Sequence, residues 1–335
     1  MSKILPVFLP FASCGNKCIF CDQQAISGIS AENDLLLHAD KQIKKWQSYS
    51  NNYDEIAFYG GNFCAIEKDI RLSLYEKAYN AGIEKIRFST RPDTINNETL
   101  KEIKDNNIYF VELGIQSLDN EVLQENKRPY TADMAVEAVK SIINITNCGV
   151  QLMTNMYKQK NYSAIDDALF FSKLNIKSAR IYPTQVLKNT YLNTLYECGE
   201  YTPSVLEEIL VTAAGMYIHF TAEDVKVIRM GLPHEAEESR QITAGAGHKS
   251  FGDIVITLVM LLYMEMGGKI KYSGYKKIGR ELFSENFNKY ESLQKEEIQE
   301  ICRQVRREYL EDSKRFIKGQ AAFFADKLKN KTNHR

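Results

Sequence analysis

Cys14-Gly15-Asn16-Lys17-Cys18-Ile19-Phe20-Cys21 sets three cysteines within eight residues, at a Cys-x3-Cys-x2-Cys spacing directly behind an apolar run at residues 4–11. That run reads as a first β-strand, so the cysteines fall in the loop that follows it. Thiolates are the soft ligands that hold iron–sulfur clusters, and three of them on a cube of four irons leave one iron open. A structural zinc ion takes four ligands, usually as two paired groups, and no neighbouring His or second Cys-x2-Cys completes such a set here. In a parallel α/β barrel the loops after the strands form the functional face, so a cluster in the first of them would stand where ligands bind.

Outward from this motif, β-rich runs at 55–61, 85–90, 109–115, 150–156 and 179–186 alternate with helical periodicity at 33–47, 67–81, 97–106, 131–145 and 162–174. Thr131, with Asp133 close behind, is a cap candidate for the fourth helix. Such alternation implies parallel βα units with right-handed crossovers and so an α/β fold; the family resemblance given below makes the expected form of it a partial (β/α)6 TIM-like barrel over residues 1–190. A seventh apolar run at 225–232 follows a helix candidate starting near Pro203, and the remainder reads as mostly helical. Residues 191–335 are therefore expected to form an extension, one strand plus helices, that closes the substrate side. The apolar stretch 253–266 is too short to span a bilayer and contains Asp253 and Glu265, which predicts a core helix.

Lys and Arg number 43 against 43 Asp and Glu, so the overall field gives no argument for nucleic acid or an anionic membrane. The C-terminal helices carry a modest basic bias. Seven cysteines, an odd count with three clustered, point to a reduced, metal-binding protein rather than a disulfide framework. The opening residues 1–14 have the look of a lipoprotein signal, but a single Lys3, two prolines and the regular cysteines that follow argue against it, and a cytoplasmic location is expected. Cys64, Cys148, Cys198 and Cys302 are scattered and read as ordinary thiols, with Cys64 alone close enough to a site motif to be a catalytic candidate.

The cysteine motif at the end of a first barrel strand resembles the radical S-adenosylmethionine (SAM) superfamily. Phe58-Tyr59-Gly60-Gly61-Asn62-Phe63, Ser89-Thr90-Arg91-Pro92-Asp93, Glu112-Leu113-Gly114-Ile115-Gln116-Ser117 and Gln151-Leu152-Met153 resemble successive strand-end motifs of the branch typified by the Elongator catalytic subunit, itself related to the coproporphyrinogen dehydrogenase group. Ile181-Tyr182-Pro183-Thr184 and Ile228-Arg229-Met230-Gly231-Leu232 extend the likeness. The resemblance implies an oxygen-sensitive [4Fe–4S] cluster on Cys14, Cys18 and Cys21, with SAM as second cofactor. Gly60 and Gly61, with Asn62 beside them, would approach the methionyl end of SAM; Gln116 would meet its ribose, with Gln151 pointing to the same region. Arg128 resembles the arginine that pairs with the SAM carboxylate, and Phe20 the aromatic that packs on adenine. Arg91 and Glu112 are catalytic candidates that would line the same strand-end face, or else form structural ion pairs inside the barrel.

The activity so implied is reductive cleavage of SAM to a 5′-deoxyadenosyl radical, fed by a flavodoxin- or ferredoxin-type electron donor, and hydrogen abstraction from a substrate. The Elongator subunit modifies transfer RNA and carries an acetyltransferase domain, whereas about a hundred residues follow Leu232 here, too few for that full domain. Thr154-Asn155-Met156-Tyr157 also replaces the expected glycine–proline turn after the fifth strand, which reshapes the cavity wall. A small-molecule or biosynthetic-intermediate substrate, an RNA substrate, and a non-catalytic iron–sulfur sensor all remain open at this point.

Overall fold

Alternating apolar side chains commit one face of each strand run to a helical layer, and in the computed structural model these runs become β1 (Ile4–Phe8), β2 (Glu55–Tyr59), β3 (Lys85–Thr90), β4 (Phe110–Gln116), β5 (Asn147–Thr154) and β6 (Ser178–Pro183). A two-residue strand β7 (Val186–Leu187), β8 (Lys226–Met230) and β9 (Ile242–Ala244) follow. The structure describes residues 3–9, 14–15, 17–22, 34–50, 52–232, 241–245, 247–248, 250–266 and 295–310. Sheet order is β1-β2-β3-β4-β5-β6-β8, every neighbouring pair parallel, while β7 and β9 form a small antiparallel ribbon. The expected α/β partial barrel is thus the observed architecture, a curled half-barrel with the 225–232 run as a seventh strand of the same sheet.

Helices α1 (Leu35–Tyr49), α2 (Lys68–Asn80), α3 (Asn97–Asp105), α4 (Asn120–Glu125), α5 (Ala132–Ile143), α6 (Ser163–Ser172), α7 (Tyr191–Glu197) and α8 (Leu206–Ala222) separate the strands. Thr131 caps α5 by accepting from the Met134 amide, as its position predicted. On the outward side of the strands, Leu5, Val7, Ile56, Phe58, Ile86, Phe88, Val111, Leu113, Ile115, Val150, Leu152 and Ile181 are buried in one core. Helix α8 is buried on nearly every side because α6 and the later helices α9 (Phe251–Glu265) and α10 (Lys295–Val305) all pack on it. The apolar 253–266 stretch is accordingly a core helix, and no helix among the described residues is long and apolar enough to cross a membrane. Residues 10 and 11 of the first predicted strand, and 311–335, lie outside the described residues. Helices α4 and α7 and the β7–β9 ribbon are too short to leave a periodic signal.

The opposite, inner face is polar. Glu55, Arg87, Ser89, Glu112, Gln151, Arg180 and Tyr182 occupy its alternate positions, so the inner face of the half-barrel is charged and polar rather than a second apolar core. The edge strand β1 is closed off by α1: the Gln42 amide accepts from Phe8 N at 2.9 Å and donates to Phe8 O at 2.7 Å, as a neighbouring strand would.

Two buried devices fix the strand ends. Arg71 of α2 makes a bidentate ion pair with Glu102 of α3, Nε to Oε1 at 2.8 Å and Nη2 to Oε2 at 2.5 Å, and its Nη1 donates to the carbonyls of Cys64 and Ile66 in the loop after β2. Both side chains are nearly sealed from water, so removing one partner strands the other charge. Glu102→Gln should therefore cost on the order of 3 kcal/mol, read as a fall in the urea midpoint, and an unchanged midpoint would count against this fastening role.

Asp167 of α6 reaches back to the end of β4, accepting from Ser117 Oγ and Leu118 N, each at 3.2 Å. Burial pushes its carboxyl up to about 6, against the pull of those two donors. The folded protein then holds a proton more tightly than the unfolded chain, so this group's stabilising contribution is complete at acid pH and is lost as pH rises from the unfolded carboxylate range through about 6. Asp167→Asn, which keeps an acceptor oxygen, should raise the melting temperature relative to wild type at pH 8 and lose that advantage at pH 4.5; an equal shift at both pH values would exclude the titration of Asp167 as its cause.

Candidate functional site

Behind β1 the cysteine loop is tied down on several sides. Cys21 N donates to Cys18 O at 3.1 Å, closing the turn that carries Ile19 and Phe20. Ile19 N reaches Asn126 O at 3.5 Å after α4, and Leu192 N of α7 donates to Ile19 O at 2.8 Å. Ile19 is buried with Val186, Leu192, Leu195 and Tyr201, and Phe20 packs both there and against Val122, Met153 and Met156. The loop is thus held by the β7–α7 segment on one side and the β4–β5 connections on the other. Cys18 is buried; Cys14 and Cys21 are partly exposed.

Arg128 joins this loop to the barrel. Its Nη1 donates to Cys18 Sγ at 2.8 Å, Nη2 to Gly114 O at 2.6 Å and Nε to the Tyr130 hydroxyl at 2.7 Å, while that hydroxyl itself lies 2.8 Å from the carbonyls of Gly114 and Ile115. Burial lifts the Cys21 thiol above its ordinary range, Cys18 and Cys14 push it further the same way, and Arg128 pulls against them. A thiol placed like Cys21 resists ionisation on its own, and a bound cationic centre is what reverses that, since coordinated thiols lose their protons outright. Among the described residues no three His, Cys, Asp or Glu side chains converge as ligands of a single ion. Thiolates that each take a separate iron of a cube have no need to meet at one point.

Facing the loop are the ends of β2, β3 and β4. Gly60 and Gly61 adopt φ of 88° and 72°, and a Cβ at Gly60 would stand 3.0 Å from Leu9 O, so the glycines let the β2 turn press against the chain leading into the cysteine loop. Asn62 Oδ1 accepts from Thr90 Oγ1 at 2.6 Å and Arg91 N at 3.0 Å, stapling β2 to β3, while its buried Nδ2 has no partner among the described residues. Gln116 ends β4 at φ 72° behind a register shift, with its Oε1 buried and equally unpartnered. A Cβ at Gly114 would lie 2.9 Å from Gln116 Nε2 and 3.7 Å from Arg128 Nη2, so both side chains flank the same strand end. A buried donor and a buried acceptor left open beside a thiol-bearing loop are what a polar cofactor would satisfy. The residues present therefore fit a cluster on the cysteines with SAM against it.

The other candidates lie deeper or point elsewhere. Glu112 accepts from Arg180 Nε at 2.8 Å, Ser89 Oγ at 3.1 Å and Gln151 Nε2, all on the inner face. Burial works against its charge, yet Arg180 above all, with Gln151 and Arg87, holds the carboxyl below the usual carboxylate range. Gln151 is turned to Glu112 in this arrangement. Arg91 folds back onto Asp93, Nε to Oδ1 at 2.9 Å and Nη2 to Oδ2 at 2.6 Å. Each of the two thus makes its own ion pair, one across the barrel and one within a turn. The Cys64 thiol is pushed up to about 12 by burial, the state of an unreactive cysteine, although its backbone N–H helps staple the site through Thr90 Oγ1 at 3.1 Å. Sequence reading passed over Tyr130 and Arg180. A charged residue at the inward parity of β6, matching Glu112 on β4, was the available signal for Arg180.

Comparison with known proteins bears on the family and the fold. The radical SAM superfamily model matches residues 8–171, and the radical SAM C-terminal domain model matches residues 176–258. An uncharacterized protein of Methanocaldococcus jannaschii is 25% identical over 196 residues, covering 55% of this chain and 60% of the relative. Elongator complex protein 3 of Schizosaccharomyces pombe is 22% identical over 251 residues, covering 59% and 45% respectively. The chain thus spans less than two thirds of the curated relatives it matches. The structure of Elp3 from Methanocaldococcus infernus, lacking its N-terminal residues 1–46, matches with a TM-score of 0.56 at 17% identity over 80% of this chain and 64% of that one, a likeness of fold. With two adjoining models spanning the half-barrel from the first strand past the seventh, this chain belongs to the radical SAM superfamily of enzymes.

Proposed function

We propose that this protein holds a [4Fe–4S] cluster on Cys14, Cys18 and Cys21, binds SAM between that loop and the ends of β2 and β4, and acts on a small molecule or biosynthetic intermediate. The observation that carries the reading is the buried bridge from Cys18 through Arg128 to Gly114, next to the unpartnered Gln116 Oε1. When bound, the two cofactors supply a 5′-deoxyadenosyl radical, formed by one-electron cleavage of the SAM C5′–S bond, which abstracts hydrogen from a substrate C–H bond.

The chain's own residues bind, orient and exclude water. Gly60 and Gly61 offer backbone groups without side chains in the way, and Asn62 Nδ2 offers a donor to the methionyl end. Gln116 Oε1 accepts from a ribose hydroxyl. A guanidinium carries five N–H groups, and Arg128 makes three bonds, which leaves donors for the SAM carboxylate beside its bond to Cys18. Phe20 and the apolar side chains around it shield the adenine side. Glu112, Arg180 and Gln151 form a rigid polar wall one step deeper in the barrel, where a substrate would enter. A low-potential donor of the flavodoxin or ferredoxin type and a reducing, cytoplasmic setting suit such a centre. RNA as substrate is the competing reading, favoured by the Elongator relative.

Anaerobic reconstitution with iron and sulfide, reduction by dithionite and addition of SAM should yield 5′-deoxyadenosine by mass spectrometry. A Cys14→Ala, Cys18→Ala, Cys21→Ala triple variant should yield none. A wild type that holds four irons and makes no deoxyadenosine would defeat the proposal. Gln116→Leu removes one neutral hydrogen bond, so SAM binding, followed through the cluster's paramagnetic resonance spectrum, should weaken by about three- to tenfold while iron content stays at the wild-type level; unchanged SAM affinity would place Gln116 outside the cofactor site.

A further inference from the structure

We propose that Arg229 and Arg180 together form an oxyanion-binding site on the inner face of the half-barrel, which receives a carboxylate or phosphate group of the small-molecule substrate. The inference rests on the functional reading above, in that it names the class of ligand the same cavity takes.

Arg180 and Arg229 are direct partners across the parallel β6–β8 pair, and a register shift between Ala179 and Arg180 brings them opposite each other. Neighbouring strands run about 4.8 Å apart, so two guanidinium groups spring from adjacent backbone positions on one face. Like charges directly opposite in a sheet destabilise it, and a shift in register is a device that re-aims a side chain beside a functional cavity. Val227 packs against the outer core and, past the extra residue Ile228 that the register shift inserts, so does Met230, which leaves Arg229 on the inner side with Arg180. Both arginines act on the phenol of Tyr182, which burial raises and the two cations draw down.

The charge on this face is unevenly matched. Arg87 is neutralised by Glu55 at 3.1 Å and Arg180 by Glu112 at 2.8 Å, while Arg229 is exposed and has no acidic partner among the described residues. Arg180 meets Glu112 through Nε alone; its Nη1 and Nη2 make only long contacts, 3.4 Å to the Tyr182 hydroxyl and 3.3 Å to the Tyr59 hydroxyl. Its outer fork is thus oriented and underused, and the neighbouring Arg229 fork makes no hydrogen bond or ion pair to another described residue. Two such forks converge on the planar or tetrahedral oxygens of a carboxylate or phosphate. The two arginines reach toward the cofactor end to different extents: the Arg229 backbone on β8 lies three strand steps from β4, about 14 Å along the curled sheet, while the Arg180 fork extends inward to Glu112 on β4 and Tyr59 on β2. A substrate gripped at Arg229 and Arg180 would lay its remaining carbons toward the cysteine loop.

The test is calorimetric titration of the reconstituted protein with inorganic phosphate and, separately, with succinate, at constant ionic strength set by chloride. Wild type should bind at least one of them saturably, with the stronger of the two telling a phosphoester from a carboxylate substrate. Arg229→Gln should weaken that binding by about tenfold or more, Arg229→Lys should restore only part of it because a point charge lacks the fork, and Lys101→Gln, which removes an equal charge from an outer helix, should change nothing. No saturable binding by wild type, or equal binding by Arg229→Gln, overturns the site. A short oligoribonucleotide that displaces phosphate from Arg229 at far lower concentration would overturn the small-molecule assignment. Deoxyadenosine formation by wild type is independent of these titrations: its absence with a working anion site defeats the functional reading alone, and its presence without anion binding defeats the oxyanion site alone.

Discussion

The Arg128 guanidinium reaches a thiol, a strand-end carbonyl and a phenol at once, and each of these belongs to a different part of the chain. Cys18 lies more than a hundred residues earlier, in the loop after β1, and Gly114 lies two residues before the end of the central strand of the sheet. A buried cation with this set of partners loses little to desolvation only while all of them are present, so the loop and the strand end position each other. Tyr130 strengthens the arrangement because its hydroxyl sits against the same carbonyl that accepts from Arg128. What the half-barrel supplies is therefore a rigid rim, and what the cysteine loop supplies is chemistry brought to that rim by one side chain.

The rim itself is kept stiff by buried polar groups. Asn62 ties β2 to β3 through Thr90 and Arg91, Arg71 and Glu102 hold the following loop from two helices, and Asp167 holds the far side of β4 from α6. These fastenings surround Gly60, Gly61 and Gln116, whose backbones all lie in the left-handed region. For Gln116 that conformation is strained, and it is sustained because the next residues, Ser117 and Leu118, are pinned by the Asp167 carboxylate. A strained residue held in place with an open acceptor is poised to meet a ligand without further ordering.

Why the fold was readable while the inner wall was not follows from the same sheet. Outward-facing Ile, Val, Leu and Phe recur at period two against helices of period 3.6, and that contrast fixes parallel βα units from the sequence alone. The cysteine spacing and the glycine pair were legible because few arrangements of residues do the same chemistry. Arg128 was singled out by its offset from Gln116, but its bond to Cys18 depends on a tertiary approach that no local pattern records. Glu112 and Arg91 looked interchangeable as strand-end charges; the structure separates them, since one faces the inner wall and pairs across two strands with Arg180 while the other turns back two residues to Asp93. The β7–β9 ribbon was invisible for want of length, and yet its neighbour Leu192 grips Ile19 in the cysteine loop.

The inner wall also explains how one sheet can serve two demands that conflict in most parallel barrels. A cavity that handles a radical has to exclude water, which favours apolar lining, whereas a polar substrate has to be oriented by charged groups. Here the charges are arranged as closed pairs, Glu55 with Arg87 and Glu112 with Arg180, so the wall is polar without presenting bare ions to the reacting centre. The imbalance is placed at β8, the strand farthest along the sheet from the cysteine loop. Near the cysteines the thiol-bearing loop is met by Arg128, and near the edge Arg229 keeps the charge that the proposed oxyanion site uses, so on that proposal the distance between the two ends sets which bond of a bound molecule is brought to reaction.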